Sequence, residues 1–162
     1  MGAETGLKPK ERLMRARSAI PIHRFKARIA ARPMDVRRLL HEVLVRFQGK
    51  IGTSDAGALE LVLAEILNNV VEHAYGAERS GDIEVEVALR NGALDCRVVD
   101  WGRPLPNDAI PRKPPPDIDV CREQLPEGGW GWTLIRALAR DLAYSRSGDT
   151  NHLSLVLPLS FE

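Results

Sequence analysis

The chain has 162 residues, 44% of them hydrophobic, which is enough for one domain with a core of its own and leaves little for a second. Lysine and arginine number 23 against 22 for aspartate and glutamate, so a net charge of +1 gives no reason to expect direct nucleic-acid or membrane binding. No apolar run approaches the roughly 18 residues of a membrane span, and "MGAETGLKPKERLMRARSA" has no apolar h-region; with Cys96 and Cys121 at no metal-ligand spacing, a reduced cytoplasmic setting is expected.

Residues 1–19 are polar and basic with little periodicity and read as a flexible arm, ahead of a single domain over 20–162. Between Lys8 and Arg38 the cations face only Glu11 and Asp35, the pattern of a solvated arm or of a docking edge for an acidic partner. "IHRFKARIA" (22–30) alternates as an edge or half-buried strand. Pro33 suits a first helical turn, and Val36, Leu39, Leu40, Val43, Leu44 and Phe47 recur at three and four, which predicts a helix over 33–48. A longer helix follows from Thr53, Ser54 or Asp55 as N-cap to Gly76. "GDIEVEVALR" and "GALDCRVVDWG" then alternate on either side of Asn91-Gly92, the signal of a type I′ hairpin.

From Arg103 to Glu127 the chain carries seven prolines and is expected to be a long surface loop. "WTLIRALARDLA" places Leu134, Ile135, Leu138 and Leu142 at helical spacing, so the last helix is predicted to run to Ala143, with two strands after it turning near Gly148. Strands in pairs, with helices to cover one face, favour an α+β sandwich over a doubly wound parallel sheet.

The long helix carries an unexpected polar edge. Leu59, Val62, Leu63, Ile66, Leu67, Val70 and Ala74 form its core stripe, Asn69 and His73 lie at the stripe's edge with Glu65 and Glu72 just beyond, and Asn68 points to solvent. Glu65 and Asn69, one turn apart, present hard oxygen ligands of the kind that suit Mg²⁺; a polar shoulder meeting water would look the same, and His73 reads as a packed shoulder histidine before it reads as a ligand. Asp100 ends a strand two residues before Gly102, an arrangement that either accepts a hydrogen bond from a flat ligand or merely starts a turn. "EGGWGW" sets Gly128, Gly129 and Gly131 before a helix, which makes either an anion site or a hinge. It is not a P-loop, since no Gly-Lys-Ser/Thr follows.

Taken in order, "EILNNVVEHAY", "DWGRP" and "EGGWGW" resemble the N, G1 and G2 boxes of the GHKL ATPase superfamily, and the E-x-x-x-N-x-x-x-H-A-Y form with a short single domain is similar to the bacterial anti-sigma factor serine/threonine kinases. The resemblance covers about residues 20–160. It implies a Bergerat-type two-layer α+β sandwich, a mostly antiparallel sheet covered on one face by three helices, with a lid loop over ATP. It also implies that Asn69 coordinates Mg²⁺, that Glu65 is the general base, and that His73 completes the same helical wall of the nucleotide pocket. By the same likeness Asp100 accepts the adenine amino group, Gly102 lets the ring approach, Gly128, Gly129 and Gly131 hold phosphates, and Thr150 lies near the adenine. The partners it implies are a STAS-type anti-anti-sigma protein as substrate, a sigma factor to sequester, and a second copy in a homodimer. The alternative is a non-catalytic ATP-binding anti-sigma or adaptor module acting through its surfaces; Glu65, which such a module does not need, favours the enzyme. Trp130 and Trp132 depart from the family's G-G-x-G-L stretch and put two indoles where small aliphatics are usual.

Overall fold

The computed structural model describes residues 23–112 and 130–160, so the basic arm, Cys121, Gly128 and Gly129 lie outside the described residues. Alternation makes His23–Ala30 a strand, β1, with Phe25, Ala27 and Ile29 packed against the core and Arg24, Lys26 and Arg28 exposed. Pro33 pre-sets the first turn of helix α1 (Pro33–Phe47), whose Val36, Leu39, Val43 and Phe47 are all buried at helical spacing. Gly49, at φ +70°, lets the chain leave that helix.

Helix α2 (Thr53–Asn69) buries Leu59, Val62, Leu63, Ile66 and Leu67. Its start differs from expectation: Gly52 is the N-cap, and no side chain caps the helix. Asp55 has a tertiary partner instead, its buried carboxylate accepting the Ser160 N–H at 3.0 and 3.3 Å, which ties the end of the last strand to the positive end of the helix dipole.

Strands β2 (Asp82–Arg90) and β3 (Ala93–Asp100) are joined through Asn91 (φ 46°) and Gly92 (φ 73°), the two left-handed residues a type I′ turn requires. Helix α3 (Trp130–Leu138) is followed by β4 (Arg140–Ser147) and β5 (Thr150–Pro158). The helix predicted to reach Ala143 therefore stops five residues earlier, at Leu138. Leu142 fits a helical stripe with Leu138, but it also alternates with Tyr144 and Arg146. Pairing with β5 decides in favour of the strand, with a register shift between Arg140 and Ala143 and Asp141 at φ +51°.

All pairings in the five-stranded sheet are antiparallel, in the order β1-β2-β3-β5-β4. Ile83, Val85, Val87, Leu94, Cys96, Val98, Leu155 and Leu157 point from the sheet into one core with the apolar stripes of the helices, the expected two-layer α+β sandwich. On the outer face Arg24 meets Glu86 at 2.9 Å and Arg28 meets Asp82 at 2.8 Å, half-exposed pairs that contribute about 0–1 kcal/mol each. The cations of β1 are thus paired with acids of β2. No helix among the described residues is long and apolar enough to cross a membrane.

Candidate functional site

Helix α2 widens at its end. Over Val70–Tyr75 the bonding becomes i→i+5, with the Gly76 N–H donating to the Val71 carbonyl at 2.9 Å. Such a π-turn inserts one residue, which turns the side chains beyond it by about 100°. Tyr75, 3% exposed, consequently takes the core place that an undistorted wheel gives to Ala74. Three tertiary bonds hold the turn: the Arg103 N–H donates to the Ala74 carbonyl (2.8 Å), and the Tyr75 hydroxyl donates to the Asp82 carbonyl (2.7 Å) while accepting from the Trp101 N–H (3.0 Å). Gly102 is the residue that permits this approach, because a Cβ there would lie 2.7 Å from the carbonyl carbon, oxygen and Cβ of Ala74.

The widened turn meets the end of β3, where Asp100 is 6% exposed. Its Oδ1 accepts from the Gly102 N–H at 2.9 Å and from Asn151 Nδ2 at 2.7 Å, so Oδ2 is the acceptor left for a ligand. Burial pushes the Asp100 carboxyl above the usual carboxylate range, against the opposing pull of Asn151, the Gly102 N–H and the Arg146 charge. A carboxyl with a raised folded pKa stays protonated in the native state where the unfolded chain has already released its proton. Its contribution to stability is therefore full below the ordinary value and is lost as pH rises through the raised one. Asp100→Asn removes that loss, so its thermal midpoint relative to wild type is expected to be higher at about pH 8 than at about pH 3.5. A difference that shrinks as pH rises would contradict the assignment.

A cavity of about 760 Å³ lies between these elements, within the range of small-molecule sites. Glu65, Asn69 and His73 line it from α2 and the π-turn, Asp100 from β3, Gly131 from α3 and Asn151 from β5. Trp132, Val98 and Leu153 add apolar wall, and the half-exposed Trp130 stands beside them. Asn69 Nδ2 is shut from solvent without a hydrogen-bond partner, an orphan that costs about 1–3 kcal/mol until a ligand answers it. A Cβ at Gly131 would run into the Glu65 carboxylate, so the first turn of α3 rests directly on that side chain. Arg103 and Arg136 bring positive charge to the lining, and Arg136 is anchored by donating to the Pro111 and Ile110 carbonyls at 2.9 and 3.3 Å.

Five of the residues singled out in the sequence, Glu65, Asn69, His73, Asp100 and Gly131, share this cavity. Gly102 is buried beneath it against Ala74, and Thr150 opens β5 outside the lining, where its neighbour Asn151 enters the site instead. Gly128 and Gly129 fall outside the described residues. Sequence reasoning missed Asn151, Tyr144 and Arg146; strand alternation with the buried Leu153, Leu155 and Leu157 is the signal that points to Asn151. No cluster of three or more His, Cys, Asp or Glu that could hold a metal occurs among the described residues. The donor set fits a cation held by one or two protein oxygens, from Asn69 Oδ1 and the Glu65 carboxylate on the cavity wall, together with the phosphates of a ligand, whose acceptor oxygens would answer the unpartnered Asn69 Nδ2.

The profile of the histidine kinase-like ATPase domain matches residues 27–157. The chain belongs to that family. This histidine kinase-like ATPase domain is 34% identical over 89 residues to the serine-protein kinase RsbW of Bacillus thuringiensis, covering 54% of this chain and 55% of the relative. It is 33% identical over 87 residues to the serine-protein kinase RsbW of Listeria monocytogenes, covering 52% and 54%. The chain thus spans about half the length of the relatives it matches. A crystal structure of the RsbU and RsbW domains of a Mycobacterium tuberculosis protein shares the fold, with a TM-score of 0.57 at 20% identity over 85% of this chain and 33% of that one.

Proposed function

We propose that this chain is a protein serine/threonine kinase of the anti-sigma factor type. It binds ATP with Mg²⁺ in the cavity, transfers the γ-phosphoryl group to a hydroxyl of a STAS-type anti-anti-sigma protein, and sequesters a sigma factor. The observation that carries the reading is the convergence of Glu65, Asn69, Asp100 and Gly131, from segments far apart in sequence, on one cavity. The family membership and the serine-protein kinases among the relatives support it, and the partners follow from the resemblance of the three motifs.

Each residue then has one task. Asp100 offers Oδ2 to an exocyclic amine of the base, and Trp132, Val98 and Leu153 supply apolar surface for a flat ring. Asn69 would hold the cation through its amide oxygen, and Gly131 leaves backbone room beside it. Mg²⁺ held there would neutralise phosphate charge. Glu65, one turn before Asn69, accepts the proton of the attacking hydroxyl, and Arg103 and Arg136 add positive charge where negative charge gathers.

Asn69→Ala is expected to weaken Mg·ATP binding at least about 100-fold, or roughly 2.7 kcal/mol. Calorimetric titration checks it, and an unchanged affinity would remove Asn69 from the metal site. Incubation with labelled ATP, Mg²⁺ and a STAS protein from the same genome tests the transfer itself. Label on a serine or threonine of that partner is expected, and none would leave the alternative of a non-catalytic binding module.

A further inference from the structure

Behind Asp100 lies a polar cluster that the proposed chemistry does not use. Asn151, 3% exposed, donates through Nδ2 to Asp100 Oδ1 (2.7 Å) and to the Arg103 carbonyl (3.1 Å). Its Oδ1 accepts from the Tyr144 hydroxyl (2.7 Å) and from Arg146 (2.6 Å), and the same Arg146 nitrogen donates to the Gly102 carbonyl at 3.1 Å. The Tyr144 hydroxyl in turn accepts from the Leu105 N–H at 3.1 Å. This surround fixes which way the amide faces. Turned over, its oxygen would meet the Asp100 carboxylate and a backbone carbonyl, all acceptors, while its NH₂ would meet the guanidinium, which can only donate. Arg146 therefore orients Asn151, and Asn151 together with the Gly102 N–H saturates one oxygen of Asp100.

We propose that the Arg146–Asn151 pair is a positioning unit that sets base specificity: by occupying Asp100 Oδ1 it presents Oδ2 as a fixed acceptor, so that the site selects a nucleobase carrying an exocyclic amine over one carrying a keto oxygen there. The inference rests on the nucleotide reading of the cavity. Both members of the pair also oppose the burial that pushes the Asp100 carboxyl upward. Their loss favours a protonated Oδ2, which donates rather than accepts and so stops discriminating against a keto group.

The test is calorimetric titration of wild type, Asn151→Leu and Arg146→Met with Mg·ATP and with Mg·ITP, whose base carries a keto oxygen in place of the amine. Wild type is expected to prefer ATP at least about 30-fold, because a keto oxygen facing a carboxylate leaves two acceptors opposed. In both variants the preference is expected to fall to within about threefold, mainly through weaker ATP binding, and Arg146→Lys to restore part of it. The ATP preference that remains is expected to decay from a higher pH than in wild type as pH is lowered. Arg146 is partly exposed, so Arg146→Met carries the test if Asn151→Leu fails to fold. Equal weakening of both nucleotides, or an unchanged ratio, would overturn the inference. A wild type that binds both nucleotides equally would overturn it as well, whereas a wild type that binds neither would bring down the nucleotide reading itself.

Discussion

Glu65→Gln is expected to lower phosphoryl transfer at least about 100-fold while Mg·ATP affinity stays within about threefold of wild type. The substitution keeps the shape of the side chain, including the surface on which Gly131 rests, and removes only its basicity. A group acting as general base is missed in the transition state and not in the ground state, so the loss falls on kcat. Glu65→Ala separates this from packing: it opens space beneath the first turn of α3 and is expected to raise KM as well. Single-turnover transfer from labelled ATP, measured beside a binding titration, gives both numbers. Transfer by Glu65→Gln at the wild-type rate would leave the carboxylate without a chemical role.

Gly102→Ala carries the largest expected cost in stability, about 2–3 kcal/mol. The added Cβ would lie 2.7 Å from three atoms of Ala74, two of them backbone, and that backbone is held in place by the Arg103 N–H at 2.8 Å. Nothing there can swing aside as the end of a flexible side chain would. The π-turn or the end of β3 must shift, which moves Asn69 and Asp100 apart as well. A fall in thermal midpoint of roughly 5–10 °C and weaker Mg·ATP binding are expected together. Gly57→Ala is the control: it lies within α2 with no atom in the path of a Cβ, and the gain in helix propensity predicts unchanged or slightly higher stability. Equal effects of the two substitutions would show that the close contact at Gly102 is not the cause.

Much of this architecture can be read from spacing, because α1, the body of α2 and the β2–β3 hairpin each satisfy local and tertiary demands at once. The misreadings occur where tertiary contacts override a local pattern. Leu142 suits a helix or a strand, and only β5 decides between them. The π-turn cannot be seen on a wheel of constant pitch, since it is held by Trp101, Asp82 and Arg103 from outside the helix. Gly102 is legible as a site of close approach, and the atoms that approach it in the fold are those of Ala74. The motifs point to Thr150 at the start of the strand rather than to Asn151, and the saturation of Asp100 Oδ1 depends on Arg146 and Tyr144 from the neighbouring strand, which no local pattern shows.

The most direct test of the central claim is hydrogen–deuterium exchange of the whole chain with and without Mg·ATP. If one nucleotide is enclosed by the π-turn, the end of β3 and the start of α3, residues 65–75, 100–105 and 130–136 gain protection together while the outer strand β1 does not change. Protection confined to one of these segments, or appearing on β1 instead, would contradict the shared cavity and with it the kinase reading.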